Sequence, residues 1–143
     1  MGKAEIKYPP NNYRELWRDG ALIMSDATRA GGDYAKLIGK ASGDVLMIGL
    51  GLGSANEAFE YEKIDTVDVL ELHQDIIDLC EGFPKTNFIL GDAKTYKTDK
   101  LYDVIWIDIW RNMNHILLPE MYKMIDLWKG NLKPGGWVEC YSR

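Results

Sequence analysis

Three glycines at alternate positions, Gly49, Gly51 and Gly53, close the apolar run DVLMIGLGLG, and Glu71 ends the next apolar run eighteen residues beyond Gly53. A β-branched and aliphatic run that stops in glycines is a buried strand entering a tight turn, where bare backbone lets a ligand come close. An acid at the end of the following strand can accept hydrogen bonds from ribose hydroxyls, so the pair reads as a site for an adenosine-containing cofactor. A dinucleotide fingerprint needs its third glycine at position 54, where Ser54 stands, and NAD is therefore not expected. Asp92 falls just past a further apolar run, and Asp108 stands at the tip of another. Asp108, between Trp106 and Trp110, sits where a partly desolvated carboxylate orients a nucleophile or balances positive charge. Trp106 reads as core, and Trp110 as a contact over the site or a surface residue. His115 follows a polar loop and is a candidate base, and His73 lies beside Glu71 at the rim. The apolar ALIM reads as a short strand giving way to a polar turn, and Asp26 as a turn or capping acid in it.

Those positions need strands to carry them. Short apolar runs over Val45 to Ile48, Val67 to Leu72, Asn87 to Leu90, Val104 to Ile109 and Trp137 to Tyr141 predict strands. Helical spacing predicts helices over Gly32 to Lys40, Ser54 to Glu62, Gln74 to Glu81 and Pro119 to Asn131, the last with Met121, Ile125, Trp128 and Leu132 on one face. Strands separated by helices pair in parallel through right-handed crossovers, which makes this an open α/β sheet. VLMI and VIWI do not alternate and belong in its centre, whereas GWVECYS alternates and belongs at an edge. The first two dozen residues carry the least pattern.

The chain of 143 residues is read as one domain, an N-terminal extension over residues 1–30 followed by a core over 31–143. A net charge of -5 argues against a nucleic-acid partner. With no membrane-length apolar run and no signal-peptide core, a cytoplasmic protein is expected. Cys80 and Cys140 form no CxxC or His/Cys cluster, so no disulfide framework and no metal site is expected. An unpaired edge at Trp137 to Tyr141, exposing Trp137, Val138, Cys140 and Tyr141, predicts a homo-oligomer unless ALIM covers it.

In order, GLGLG, LEL with Glu71, GDA at Gly91 to Ala93, YDVIWID ending in Asp108, and LKPGG at Leu132 to Gly136 resemble the class I S-adenosylmethionine-dependent methyltransferases, most of all their spermidine synthase-like branch. The resemblance implies a Rossmann-like fold in reduced form, without an N-terminal β-domain or the antiparallel hairpin that usually completes the sheet. It implies S-adenosyl-L-methionine as cofactor. Gly49, Gly51 and Gly53 would meet its methionyl part and Glu71 the ribose, with Leu72 alongside. Asp92 would meet the adenine amino group beside Ala93, and Asp26 the methionyl amino group. Asp108 would face the sulfonium, with Trp110 and His115 in the substrate pocket. In the aminopropyl-transferring enzymes a second Asp follows the one matched by Asp108, and a Tyr-His-Glu cluster precedes the glycines. Here the segments read DIWRNMNH, and Tyr34 followed by Ala35 and Lys36. The expected activity is methyl transfer to a small molecule, with a non-catalytic nucleoside-binding module and aminopropyl transfer as alternatives.

Overall fold

The computed structural model describes residues 2–10, 13–25, 34–80, 82–110 and 118–141. A five-stranded sheet in the order β6-β5-β4-β7-β8 is formed by β4 (Gly43–Ile48), β5 (Ile64–Glu71), β6 (Thr86–Leu90), β7 (Tyr102–Ile107) and β8 (Leu132–Cys140). Every pairing in it is parallel. The chain builds outward from β4 to β6, then returns to the other side of β4 with β7. Loops leaving β4 and β7 therefore diverge, and a crevice opens at their carboxyl ends.

Alternation within the central strands sorts side chains onto two faces. Val45, Met47, Val67, Val69, Val104 and Trp106 join one apolar cluster with Leu37 of α1 (Ala35–Lys40) and Ala55 of α2 (Ser54–Glu57). Ile76 of α3 (Gln74–Asp78) packs there too. Leu46, Ile48, Leu70, Ile105 and Ile107 join the other with Met121, Met124 and Trp128 of α4 (Leu118–Trp128). Cover on both faces is why VLMI and VIWI read as continuous runs. The expected helix over Ser54 to Glu62 is broken: α2 stops at Glu57 and a 3₁₀ turn follows at Tyr61–Lys63.

The short strand expected at ALIM is present, but the N-terminal residues correct the expectation that no separate β unit stands ahead of the core. β1 (Ala4–Lys7), β2 (Glu15–Arg18) and β3 (Ala21–Ser25) form a separate antiparallel sheet, in which ALIM is β3 paired with β2. ALIM therefore does not cover β8. The signal for this hairpin is Asp19-Gly20, which takes positive φ at both positions, 50° and 80°, as a tight two-residue turn requires. β8 is an edge strand as expected, but Cys140 is buried, and Trp137 is half-covered by stacking on Trp106 at 6.0 Å between ring centroids.

Opposite the crevice, polar groups bind the strands together. Asp68 in β5 accepts hydrogen bonds from the Tyr102 hydroxyl (2.7 Å), Lys100 (2.9 Å) and Asn87 (3.3 Å). Burial pushes its carboxyl up, but these three donors hold it below the ordinary carboxylate value. Tyr102→Phe removes one partner from a buried carboxylate and is expected to lower stability by about 1 to 3 kcal/mol at pH 7. A depressed carboxyl contributes stability above its unfolded pKa and loses it as pH falls, so the deficit should shrink in acid. Urea unfolding at both pH values measures it, and a deficit constant with pH would mean that Asp68 is not the group affected.

Candidate functional site

Backbone pairing carries on past the strand ends and fixes the rim of the crevice. The Gly49 amide donates to the Leu70 carbonyl (2.9 Å), the Asp108 amide to the Ile48 carbonyl (2.8 Å), the Gly91 amide to the Glu71 carbonyl (3.0 Å), and the Tyr141 amide to the Ile107 carbonyl (2.9 Å). Above this rim lies a cleft of about 950 Å³. It is lined by Gly49, Gly51, Glu71, Leu72, Asp92, Ala93, Asp108 and Trp110, so eight of the residues singled out from sequence meet in one cavity. Asp26 and His115 lie outside the described residues.

The glycines divide by what lies beside them. Gly49 takes φ 98°, and a Cβ there would collide with the Asp108 carbonyl oxygen. At Gly53 a Cβ would strike the Phe83 ring, and Gly53 does not line the cleft. Gly51, at φ 56°, does line it, and a Cβ there would meet the Met24 sulfur. Close packing within the chain thus accounts for Gly49 and Gly53, and only Gly51 of the three combines a cleft position with a displaceable neighbour.

Glu71 is buried, and its two oxygens hold the local backbone: Oε1 accepts the Leu50 amide and Oε2 the His73 amide, both at 2.9 Å. It ties the glycine turn to the end of its own strand. A carboxylate has roughly four acceptor positions, so these two bonds leave capacity for hydroxyl donors. Asp92 Oδ1 accepts the Lys94 amide (2.9 Å), a turn role that coexists with its cleft position. His73 lines the cleft at the start of α3.

Asp108 is half-buried, and burial pushes its carboxyl up to about 6, against the lowering effect of the hydrogen bond that Oδ2 accepts from the Tyr34 hydroxyl (3.2 Å). Tyr34 itself packs against Tyr141 and Trp106, with centroids at 5.5 and 6.4 Å. Trp106 is core, as expected. Trp110 donates its indole N–H to Glu120 of α4 (3.1 Å), which fastens it to the cleft wall. An acid raised by burial, oriented by a tyrosine and open to a cavity, can take a proton from a bound nucleophile or hold a cation.

Several wall residues were not singled out as site residues from the sequence. Ile23 and Met24 come from β3, Arg18 from β2, and Tyr141 follows β8. Arg18 reaches α3 through a 2.9 Å ion pair with Asp75, and Arg14 reaches α2 through a 2.7 Å pair with Glu57, so the N-terminal sheet is pinned beside the cleft. The Asp19-Gly20 turn is the signal from which β2 could have been found as the partner of the strand at ALIM.

No family model matches the chain. A curated relative, the polyamine aminopropyltransferase of Methanocaldococcus jannaschii, is 33% identical over 78 residues, which is 46% of this chain and 27% of the relative. Among solved structures, spermidine synthase from Thermotoga maritima superposes with a TM-score of 0.69 at 16% identity, over 96% of this chain and 52% of that one. DhpI in complex with SAH gives 0.63 at 21% identity, over 80% of this chain and 56% of that one. The N-methyltransferase NodS from Bradyrhizobium japonicum, also with SAH, gives 0.59 at 17% identity, over 78% of this chain and 59% of that one. The chain thus spans little more than half of these structures and about a quarter of the curated relative. Its strand order, crevice and neighbours identify its fold as the Rossmann-like fold of the class I S-adenosylmethionine-dependent methyltransferases, which spermidine synthase shares.

Proposed function

We propose that the chain is an S-adenosylmethionine-dependent transferase, most simply a methyltransferase acting on a small-molecule acceptor. The observation that carries this reading is the convergence of Gly51, Glu71, Asp92 and Asp108 on one cleft at the switch point of the sheet. The cofactor fits what is present. The volume lies within the roughly 300 to 1,000 Å³ of small-molecule sites, and what stands against the Cβ-less face of Gly51 is the movable Met24 side chain. Glu71 would take the ribose hydroxyls, Asp92 the adenine amino group with Leu72 and Ala93 beside the base, and the Gly51 face of the turn the methionyl end. Neighbours of the same fold were solved with SAM or SAH, which supports this choice of cofactor.

When bound, S-adenosylmethionine supplies an electrophilic methyl group on a sulfonium. The chain's part is placement and proton handling. Asp108 Oδ2, steered by Tyr34, would align an acceptor N–H or O–H against that methyl group and hold the proton that the acceptor gives up. Trp110, held by Glu120, bounds the acceptor space. The net charge of -5 favours a small molecule over a nucleic acid. Among the described residues no helix is long and apolar enough to cross a membrane. A cytoplasmic setting and self-association through the outer edge of β8 belong to the same proposal, and light scattering at micromolar concentration reads the latter.

Acceptor-dependent conversion of S-adenosylmethionine to S-adenosylhomocysteine tests the activity. Tight binding without turnover by a broad set of amines, acids and phenols would make the chain a binding module. Spermidine formed from decarboxylated cofactor and putrescine would make it an aminopropyltransferase.

Turnover should rise with pH through about 6, where Asp108 ionises, and then level off. Asp108→Asn should lower kcat by about 100- to 1,000-fold while changing the dissociation constant for S-adenosylhomocysteine less than about twofold. An unchanged kcat would remove Asp108 from the chemistry.

The same raised value makes a prediction about stability. An acid whose folded pKa lies above its unfolded value weakens the fold as pH rises from about 4 to 6, and the penalty persists above that window. Asp108→Asn should therefore be more stable than the wild type at pH 8, by at most about 3 kcal/mol, and should converge with it at pH 4 and below. Thermal melts at the two pH values check this. A variant less stable at pH 8 would make Asp108 a structural anchor of the loop.

A further inference from the structure

The cleft face of the glycine turn is already in contact with a side chain of this protein. Met24 of β3 lies with its sulfur against Gly51, and the Leu52 amide donates to that sulfur at 3.1 Å. β3 is the edge strand of the N-terminal sheet, and Met24 is half-buried and lines the cleft. A thioether is a weak acceptor on a chain with three freely rotating bonds, so this contact is held loosely. A carboxylate makes a shorter and stronger bond to the same kind of amide.

We propose that Met24 is a built-in competitor for the amino-acid end of the cofactor and sets the selectivity of the site between nucleosides with and without that tail. This rests on the cofactor assignment above. With the nucleoside held at Glu71 and Asp92, a tail reaching the Gly51–Leu52 face has to displace the Met24 thioether. A nucleoside thioether that lacks the tail leaves Met24 where it is. Ligands with the tail therefore bind only the fraction of molecules in which Met24 has swung away, and their apparent affinity is reduced by that fraction. If Met24 rests on the turn for about nine-tenths of the time, the reduction is about tenfold.

The test compares S-adenosylhomocysteine with 5'-methylthioadenosine, the same nucleoside thioether without the amino-acid chain, by calorimetric titration. Met24→Ala should tighten S-adenosylhomocysteine by about three- to tenfold and leave 5'-methylthioadenosine within about twofold. A second measurement needs no variant in the titration. In wild-type protein carrying ¹³C-labelled methionine methyl groups, the Met24 signal should shift markedly with S-adenosylhomocysteine and little with 5'-methylthioadenosine, Met24→Leu serving only to assign it. Equal effects of Met24→Ala on both ligands, weaker binding of S-adenosylhomocysteine alone, or a Met24 signal that S-adenosylhomocysteine does not move would overturn the proposal and leave the cofactor assignment standing. If neither ligand binds the wild type, the cofactor assignment fails and takes this proposal with it.

Discussion

The arrangement of the site depends on one close approach, that of the Asp108 carbonyl to Gly49. β4 and β7 pair in parallel up to Ile48 and Ile107, and one more hydrogen bond, from the Asp108 amide to the Ile48 carbonyl, keeps them together for a further residue. At that point the Asp108 carbonyl occupies the space of a side chain on Gly49. With φ at 98°, glycine there meets both a steric and a conformational demand. The glycine turn and the acid are thereby held side by side, although 59 positions separate 49 from 108 in sequence. Glu71 extends the same construction from the other side by gripping the Leu50 amide. A larger residue at 49 would part the two strand ends and move Asp108 away from the turn.

Much of this was legible in the chain because parallel strands covered on both faces leave an unmistakable trace. VLMI and VIWI are central, GWVEC is at the edge, and the acids at 71, 92 and 108 sit where strands end. The site was legible to the extent that it is built from strand ends. Tyr34, Met24 and Tyr141 were not, because their place comes from packing between elements far apart in sequence, and no local periodicity reports that. ALIM reads as a strand, but the sheet it belongs to escaped for a related reason. Its strands are four or five residues long, and β2 carries a register shift between Leu16 and Trp17, which breaks the alternation by which a strand is recognised.

The glycines show how a correct pattern can rest on a different physical cause. All three were read as openings for a ligand, yet Gly49 and Gly53 are required by the Asp108 carbonyl and the Phe83 ring. Spacing alone cannot distinguish a glycine that admits a ligand from one that admits a neighbouring strand or ring, because both leave the same gap. Only the packed structure separates Gly51 from the other two.

The opposite ends of the sheet carry opposite electrostatic arrangements. Away from the cleft, Lys133 holds Asp44, the Asp44 amide and then Lys133 hold Asp103, and Tyr102 and Lys100 hold Asp68 against its burial, so each acid is kept below its ordinary value and strengthens the fold at neutral pH. At the cleft, Asp108 has a tyrosine hydroxyl but no ion pair among the described residues, and burial raises it. A lysine beside Asp108 would stabilise the protein and keep the acid ionised, but its carboxylate would then face the lysine rather than the cleft. An acid at a strand end thus acts in opposite ways at the two ends of the sheet: beside a cation it adds stability at neutral pH, and buried with only a hydroxyl partner it weakens the fold there.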